Sequence, residues 1–127
     1  MGKFEPTVYT WAEMPEQIVN AGAKRKTVDC IGCTLAMNYQ DPGEPSKEHH
    51  HPHTQISYVI SGEGESICGG VRRKVGAGSL VVIPPNLPHC FQVTGTETAM
   101  ILDIFAPERQ EHVAAYQKVL DELGIKY

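Results

Sequence analysis

Residues 48–65, EHHHPHTQISYVISGEGE, place four of the chain's six histidines within five positions, just before an apolar run. The cluster is internal and is interrupted by a proline, so it is not a purification tag. On an extended chain alternate side chains face the same way, which puts His49, His51, His53 and Gln55 on one face. Imidazoles and an amide oxygen can hold a transition metal, provided that a further ligand arrives from elsewhere in the chain.

Two later segments contain side chains that would complete such a site. His89 follows the constrained turn IPPNLP and precedes the run CFQV, and it is the candidate for the missing ligand. In ILDIFAPER, residues 101–109, Asp103 and Phe105 alternate onto one face. An ionised carboxylate that points into a barrel is costly without a partner, which a metal or Arg109 would provide. Arg109 is alternatively a bidentate clamp for a substrate carboxylate at the mouth of the barrel.

Short β-rich runs separated by Gly and Pro must position these side chains. Turn signals recur about every eight to twelve residues between residues 27 and 105, which is typical of an all-β sandwich or barrel. The predicted strands are TVDCI, CTLAMNY, TQISYVI, ESICG, VRRKV, SLVVIP, CFQVT and AMILDIF. We therefore predict an all-β fold in one domain, residues 1–127, with its barrel core at about 27–105.

Helices are predicted only at the two ends of the chain. EMPEQIV, near the N-terminus, favours a short helix. At about residues 108–123 a longer helix is indicated, with Pro107 suited to its first turn and Gly124 to its C-terminal end. One apolar stripe runs along this second helix and is expected to pack on the barrel: Val113, Tyr116, Leu120 and Leu123.

Composition and charge narrow the class of protein. The chain has 127 residues, 41% of them hydrophobic, and a net charge of −4 from 11 Lys and Arg against 15 Asp and Glu. This balance makes nucleic acid an unexpected partner. No run approaches the about 20 apolar residues that span a bilayer, and MGKFEPTVYTW has no apolar signal core, so no membrane contact and a cytoplasmic location are expected. The four cysteines are then expected to be reduced thiols, with Cys30 and Cys33 facing each other across a tight hairpin turn.

Two spaced motifs resemble those of the cupin superfamily. The first is H-x-H-x-x-x-Q-x-x-x-x-x-x-G, starting at His49, and the second is G-x-x-x-x-x-P-x-N-x-x-H, ending at His89. The resemblance implies a jelly-roll β-barrel with a C-terminal helix, and one divalent metal inside the barrel. It also implies the ligands of that metal: His49, His51, Gln55 and His89.

This chain departs from the usual cupin motifs at two positions. The usual motif has a glycine after the proline at position 84, and in this chain Asn86 takes its place. Asparagine tolerates the left-handed conformation that such a turn requires. Gln55 replaces the usual Glu, and a neutral amide oxygen would leave the full charge of the cation acting on an anionic substrate. Alternatively, Gln55 marks a decayed site that only binds small molecules. The resemblance leaves His53 outside the set of metal ligands. Three positions are then open to its side chain: behind the ligands, facing the substrate, or exposed at the rim of the barrel.

The combination of KRK, HHHPHTQISYVISGEGE, PPNLPH and LDIFAPER is similar to the small cupins of the KdgF type, which are associated with pectin degradation. Those proteins convert 4,5-unsaturated uronate monomers to the linear keto form. The similarity implies Asp103 as the acid or base, Arg109 as a carboxylate anchor and Phe105 as a pocket wall. The family's ending is closer to D-x-F-S-P-P-R, and Ala106 and Glu108 depart from it.

Other functions are compatible with the same residues. A cupin dioxygenase would use Fe or Ni to activate oxygen, and a non-catalytic cupin would only bind a metal or a sugar. The donor set accepts Ni, Zn, Fe, Mn or Co. In every case the expected ligand of the cavity is a small molecule, and by analogy with other cupins the chain is expected to form a homodimer.

Overall fold

The computed structural model describes residues 5–43 and 45–127. A 3-10 turn at Trp11–Glu13 precedes the strands of this part of the chain. The strands are β1 Gln17–Asn20, β2 Ala23–Asp29, β3 Thr34–Gln40, β4 Thr54–Ser61, β5 Glu63–Cys68, β6 Val71–Gly76, β7 Leu80–Ile83, β8 His89–Val93 and β9 Ala99–Ala106. The helix α1 spans Gln110–Leu123, and no helix in the described residues is long and apolar enough to cross a membrane.

The strands form two antiparallel sheets. The larger sheet has the order β1-β2-β3-β9-β4-β7, and the smaller one has the order β6-β5-β8. Each of the eight runs predicted as strands overlaps a strand of the structure, and the predicted all-β jelly-roll fold with a C-terminal helix is confirmed. At Gly62, between β4 and β5, φ is +93° and a Cβ atom would lie 2.8 Å from the Cα of Ala99, so only glycine fits this turn.

The prediction of a helix near the N-terminus is wrong. Gln17–Asn20 forms β1, in which Gln17 pairs with Arg25 of β2. Pro15 disfavours a helical conformation at the residue before it, and Met14 is accordingly extended, with φ −84° and ψ 140°. The chain therefore enters β1 already extended, and pairing with β2 takes the place of a helix.

The helix α1 packs on β2 through a face that differs from the predicted stripe. Tyr116 and Leu120 are buried against Met14 and Val28, whereas Leu123 is 59% exposed. Gly124 is left-handed, with φ 69°, and the backbone N–H of Ile125 donates to the carbonyl of Leu120 at 2.9 Å. This Schellman turn brings Ile125 back onto the cluster, where it takes the place that was predicted for Leu123.

The outer face of β4 and β7 exposes apolar side chains at the edge of the larger sheet. Leu80 and Val82 are 65% and 67% exposed, and Tyr58 and Ile60 lie on the neighbouring strand with 37% and 36%. Such a contiguous apolar face is uncommon on a monomer. The homodimer expected from the resemblance stays a prediction, and this face is where we expect it to form.

Charged residues on this face should weaken the dimer. In the double variant Leu80→Lys, Val82→Lys, four lysines would meet across a two-fold interface, and we expect the mass measured by sedimentation equilibrium to fall to that of the monomer. Val71→Lys is the matched control, because Val71 is 54% exposed on the other sheet and should leave the mass unchanged. A wild-type chain that sediments as a monomer would contradict the prediction.

Candidate metal centre and cavity

Backbone hydrogen bonds join the two histidine-containing segments. His49 and His89 form an isolated bridge, in which each N–H donates to the other's carbonyl at 3.0 and 2.9 Å. The N–H of Asn86 donates to the carbonyl of His51 at 2.8 Å, and Asn86 has φ 66°, the left-handed conformation expected of it. These three bonds bring histidines from distant parts of the sequence to one end of the barrel.

The three histidines form one compact cluster. One ring nitrogen from each of His49, His51 and His89 lies within 4.8 Å of the others. The ring centroids of His49 and His89 are 4.3 Å apart, and those of His51 and His89 are 5.0 Å apart. His51 and His89 are buried, whereas His49 is partly exposed at the rim. Sequence reasoning predicted this grouping, and the described residues bring it together.

Backbone carbonyls determine which ring nitrogen of His49 and of His89 is free. Nδ1 of His89 lies 2.8 Å from the carbonyl of Leu87, and Nδ1 of His49 lies 2.8 Å from the carbonyl of Lys47. A carbonyl only accepts, so Nδ1 donates and Nε2 of a neutral ring keeps its lone pair. Burial lowers the pKa of His89 to about 4, so this ring is neutral at pH 7. A neutral imidazole with a free Nε2 is the form that binds a metal.

Gln55 places its amide oxygen against these nitrogens. Oε1 of Gln55 lies 2.9 Å from Nε2 of His51 and 3.0 Å from Nε2 of His89. Since Nε2 of His89 carries no proton, two lone pairs face each other at this distance. A divalent cation shared by these atoms would remove the repulsion, so the donor set fits a metal. The roles of the four residues as ligands stay a prediction.

Asp103 lies in the same cavity and is connected to Gln55 through one serine. Nε2 of Gln55 donates to Oγ of Ser57 at 3.0 Å, and that hydroxyl donates to Oδ1 of Asp103 at 2.6 Å. Oδ2 of Asp103 accepts from Nδ2 of Asn38 at 2.9 Å. Burial raises the pKa of Asp103, against the opposing effects of the Ser57 hydrogen bond and the charge of Arg25. The carboxyl is therefore held in place, with a raised tendency to keep its proton.

Arg109 and Phe105 lie beside the cluster in arrangements that the sequence did not indicate. Arg109 is paired with Glu111, whose Oε1 lies 2.7 Å from both Nε and Nη2 of the guanidinium. The guanidinium lies 4.9 Å from the ring centroid of Phe105. Phe105 is 1% exposed and packs edge-on against the ring of His51, and its role as a pocket wall stays a prediction. The role of Arg109 as a carboxylate anchor stays a prediction.

His53 turns away from the three-histidine cluster. Its Nε2 donates to the carbonyl of Glu108 at 3.2 Å, and its ring packs against those of His51 and Phe105. The regular strand β4 begins only at Thr54, so the alternation that we applied to the segment before it does not continue through His53. Its predicted place behind the ligands agrees with this position.

Three polar residues of the cavity were not predicted as site residues. Nε of Arg25 donates to Oδ1 of Asn38 at 3.0 Å, and Nη1 of Arg25 lies 3.5 Å from Nδ1 of His112. Burial and the charge of Arg25 lower the pKa of His112 to about 2, so the ring is neutral and accepts from Arg25. The sequence offered one signal for this group, the polar Asn38 within the apolar run LAMNY. Asn38 lies opposite Arg25 in the pairing of β2 with β3.

One cavity of about 510 Å³ is lined by residues of the histidine cluster and by the polar residues around Asp103 and Arg25. Its lining includes Arg25, His49, Gln55, His89, Asp103 and Arg109. A space of this size is typical of a small-molecule site. One cavity of the chain thus contains a candidate metal centre, a partly buried carboxyl and cationic groups.

The sequence is similar to a known domain family and to characterised proteins. Residues 39–105, more than half of the chain, match the family model for the cupin domain. The H2HPP isomerase of Bacillus subtilis is 33% identical over 71 residues, which are 55% of this chain and only 30% of that protein. The polyketide synthase CurC of Streptomyces cyaneus is 27% identical, over 98% of this chain and 94% of that protein.

A solved structure agrees with these matches. KdgF from Halomonas sp. superposes with a TM-score of 0.79 at 25% identity, over 85% of this chain and 99% of that one. Both the resemblance to cupins and the similarity to KdgF that the motifs indicated are confirmed. With its two motifs joined at one three-histidine centre inside a jelly-roll barrel, the chain belongs to the cupin domain family.

Proposed function

We propose that the protein is a metal-dependent enzyme that converts 4,5-unsaturated uronate monomers to their linear keto form. The proposal rests on the position of Asp103, a carboxyl held in the same cavity as the three-histidine centre and connected to it through Ser57 and Gln55. The similarity to KdgF supports the choice of a uronate. The Bacillus subtilis relative is named an isomerase, and the proposed reaction is also a net isomerisation.

The side chains of His49, His51, Gln55 and His89 would hold the divalent metal. Its chemistry there is that of a Lewis acid, which stabilises negative charge developing on an oxygen atom. The rings of His89 and His49 are oriented by their Nδ1 hydrogen bonds to backbone carbonyls. Because these rings are already ordered, little conformational entropy is lost when the metal binds.

Asp103 is the group that we expect to transfer the proton. In the substrate the double bond joins C4 to C5, which carries the ring oxygen and the carboxylate. Asp103 delivers a proton to C4, and C5 keeps the ring oxygen as its keto oxygen. The bond from that oxygen to the hemiacetal carbon C1 breaks, and C1 becomes an aldehyde as its hydroxyl loses a proton. The proton released from the hemiacetal hydroxyl restores the carboxyl, so substrate and product have the same composition. A raised pKa favours this acid role.

Loss of the ultraviolet absorbance of the conjugated double bond would measure the reaction. Unsaturated monomers released by a pectate lyase are the substrate, and we expect the metal-loaded wild type to remove the absorbance faster than buffer alone. In D₂O, proton NMR should show deuterium at C4 of the product, because that carbon receives the transferred proton.

The chelator-treated protein is the control, and reloading with metal should restore the rate. A wild type that is loaded with metal and leaves the absorbance unchanged would contradict the proposed reaction. Oxygen uptake measured in the same cuvette would instead favour the dioxygenase alternative.

A further inference from the structure

The guanidinium of Arg25 lines the cavity. Within the described residues, no carboxylate forms an ion pair with it. It projects from β2, where it faces Asn38 of the neighbouring strand β3. Nε is occupied by Asn38 and Nη1 contacts His112, whereas Nη2 forms no hydrogen bond within residues 5–43 and 45–127. Arg25 takes part in none of the ion pairs found in these residues. Donors of this planar fork therefore stay available to a ligand.

Arg109, the other arginine of the cavity, has a different environment. Its Nε and Nη2 both contact Glu111 at 2.7 Å, and its ring-facing side lies over Phe105. A ligand carboxylate would have to compete with Glu111 for that guanidinium. At Arg25 the two hydrogen-bonded partners, Asn38 and His112, are neutral, and Asp103 acts on the guanidinium through its charge without forming an ion pair with it.

We propose that Arg25 binds the carboxylate of the substrate and selects carboxylate-bearing sugars over neutral ones. This assignment deepens the proposed function and rests on the same cavity. A guanidinium forms two parallel, charge-assisted hydrogen bonds with a carboxylate, and such bonds strengthen in a partly desolvated site. Burial lowers the pKa of Arg25, which reflects the cost of keeping this cation away from water and agrees with a site that gains from an anion.

Hydrogen bonds place Arg25 on the correct side of the acid. Starting from Gln55, the chain of contacts passes through Ser57 to Oδ1 of Asp103 at 2.6 Å. From Oδ2 of Asp103 it continues through Asn38 to Nε of Arg25, with distances of 2.9 and 3.0 Å. In this chain of hydrogen bonds Asp103 thus comes between Gln55, a candidate ligand, and Arg25. In an unsaturated uronate the carboxylate is attached to C5, next to the carbon that is protonated, so a carboxylate on Arg25 brings C4 towards Asp103.

Binding of unreactive sugars would test the assignment without turnover. The probes are D-galacturonate and its neutral counterpart D-galactose, measured by isothermal titration calorimetry with metal-loaded protein. We expect wild type to prefer galacturonate. Arg25→Gln should lower the affinity for galacturonate by about 10- to 100-fold, as expected for losing a charged hydrogen-bond pair, and leave that for galactose unchanged.

Further variants separate charge from folding and from Arg109. Arg25→Met fills a similar volume without charge and should also lose the preference, and circular dichroism and metal content confirm that both variants are folded. Arg73→Gln, an exposed position on β6, is the control and should keep the preference.

Three results would overturn the role of Arg25: no preference in wild type, an unchanged preference in folded Arg25→Gln, or loss of the preference in Arg109→Gln but not in Arg25→Gln. Failure of the proposed reaction is distinguishable from these. A protein that does not convert unsaturated uronates but binds galacturonate through Arg25 would refute the reaction alone. Turnover with an unchanged KM in Arg25→Gln would refute the role of Arg25 alone.

Discussion

His89→Ala is expected to reduce the metal content of the purified protein from about one ion per chain to background. His89 supplies a buried Nε2 that its Nδ1 hydrogen bond to Leu87 keeps free of a proton. Loss of an outer hydrogen bond to a ligand already costs about 10- to 100-fold in metal affinity, and loss of the ligand itself should cost more. Elemental analysis by mass spectrometry on untagged protein, purified without nickel, measures the effect.

His50→Ala is the matched control for this experiment. His50 is adjacent to two candidate ligands in sequence, yet it is exposed and lies outside the three-histidine cluster, so its removal should leave the metal content unchanged. His49→Ala should resemble His89→Ala. A wild type that contains no metal and cannot be reconstituted with nickel, zinc, iron, manganese or cobalt would remove the basis for a metal-dependent reaction, and would favour the binding-module alternative.

Asp103→Asn is expected to lower the rate of uronate conversion by about 100- to 10,000-fold, the usual contribution of a positioned acid or base, while the metal content is retained. Asparagine has nearly the shape of aspartate and keeps an oxygen that accepts from Asn38. Its NH₂ group can donate to the hydroxyl of Ser57, so the chain of hydrogen bonds is preserved. Only the transferable proton is lost, which separates a chemical role from a structural one.

The same variant should change how stability depends on pH. Burial raises the pKa of Asp103 in the folded state above its unfolded value. The stabilisation from this group is therefore complete below the unfolded pKa and is lost as the pH rises through the folded pKa, where the buried carboxyl must ionise. We expect urea midpoints of wild type to fall relative to those of Asp103→Asn as the pH rises from about 4, the unfolded pKa of an aspartate, through the raised folded pKa.

Two outcomes would contradict the role assigned to Asp103. A variant that is folded, loaded with metal and as fast as wild type would show that another group transfers the proton. A variant that loses its metal would show that Asp103 supports the centre through Ser57 and Gln55, and activity could not then be interpreted as proton transfer.

Local patterns in the sequence were sufficient for most of the framework. The alternation of apolar residues between Gly- and Pro-rich turns predicted the eight strands from β2 to β9, and the apolar period of about 3.6 predicted α1. These features depend on neighbours within a few positions. The spacing from His49 to Gln55 and from Pro84 to His89 likewise indicated a metal centre, because the resemblance to cupins connects segments that local patterns cannot connect.

Contacts between distant segments were decided only by the tertiary structure. Arg25 lies directly opposite Asn38 across β2 and β3, and the register of β3 and β9 puts Asp103 two residues along from Asn38, within reach of its amide. Asn38 and Asp103 are 65 positions apart in the chain, and no local pattern encodes such a contact. Glu111 takes up the charge of Arg109, which the sequence left open to a substrate. Sequence alone therefore indicated the candidate metal ligands, Asp103 and the elements that hold them, but not Arg25, Asn38 or His112. Strand register and the docking of α1 decided which of these side chains are already paired and which remain available to a ligand.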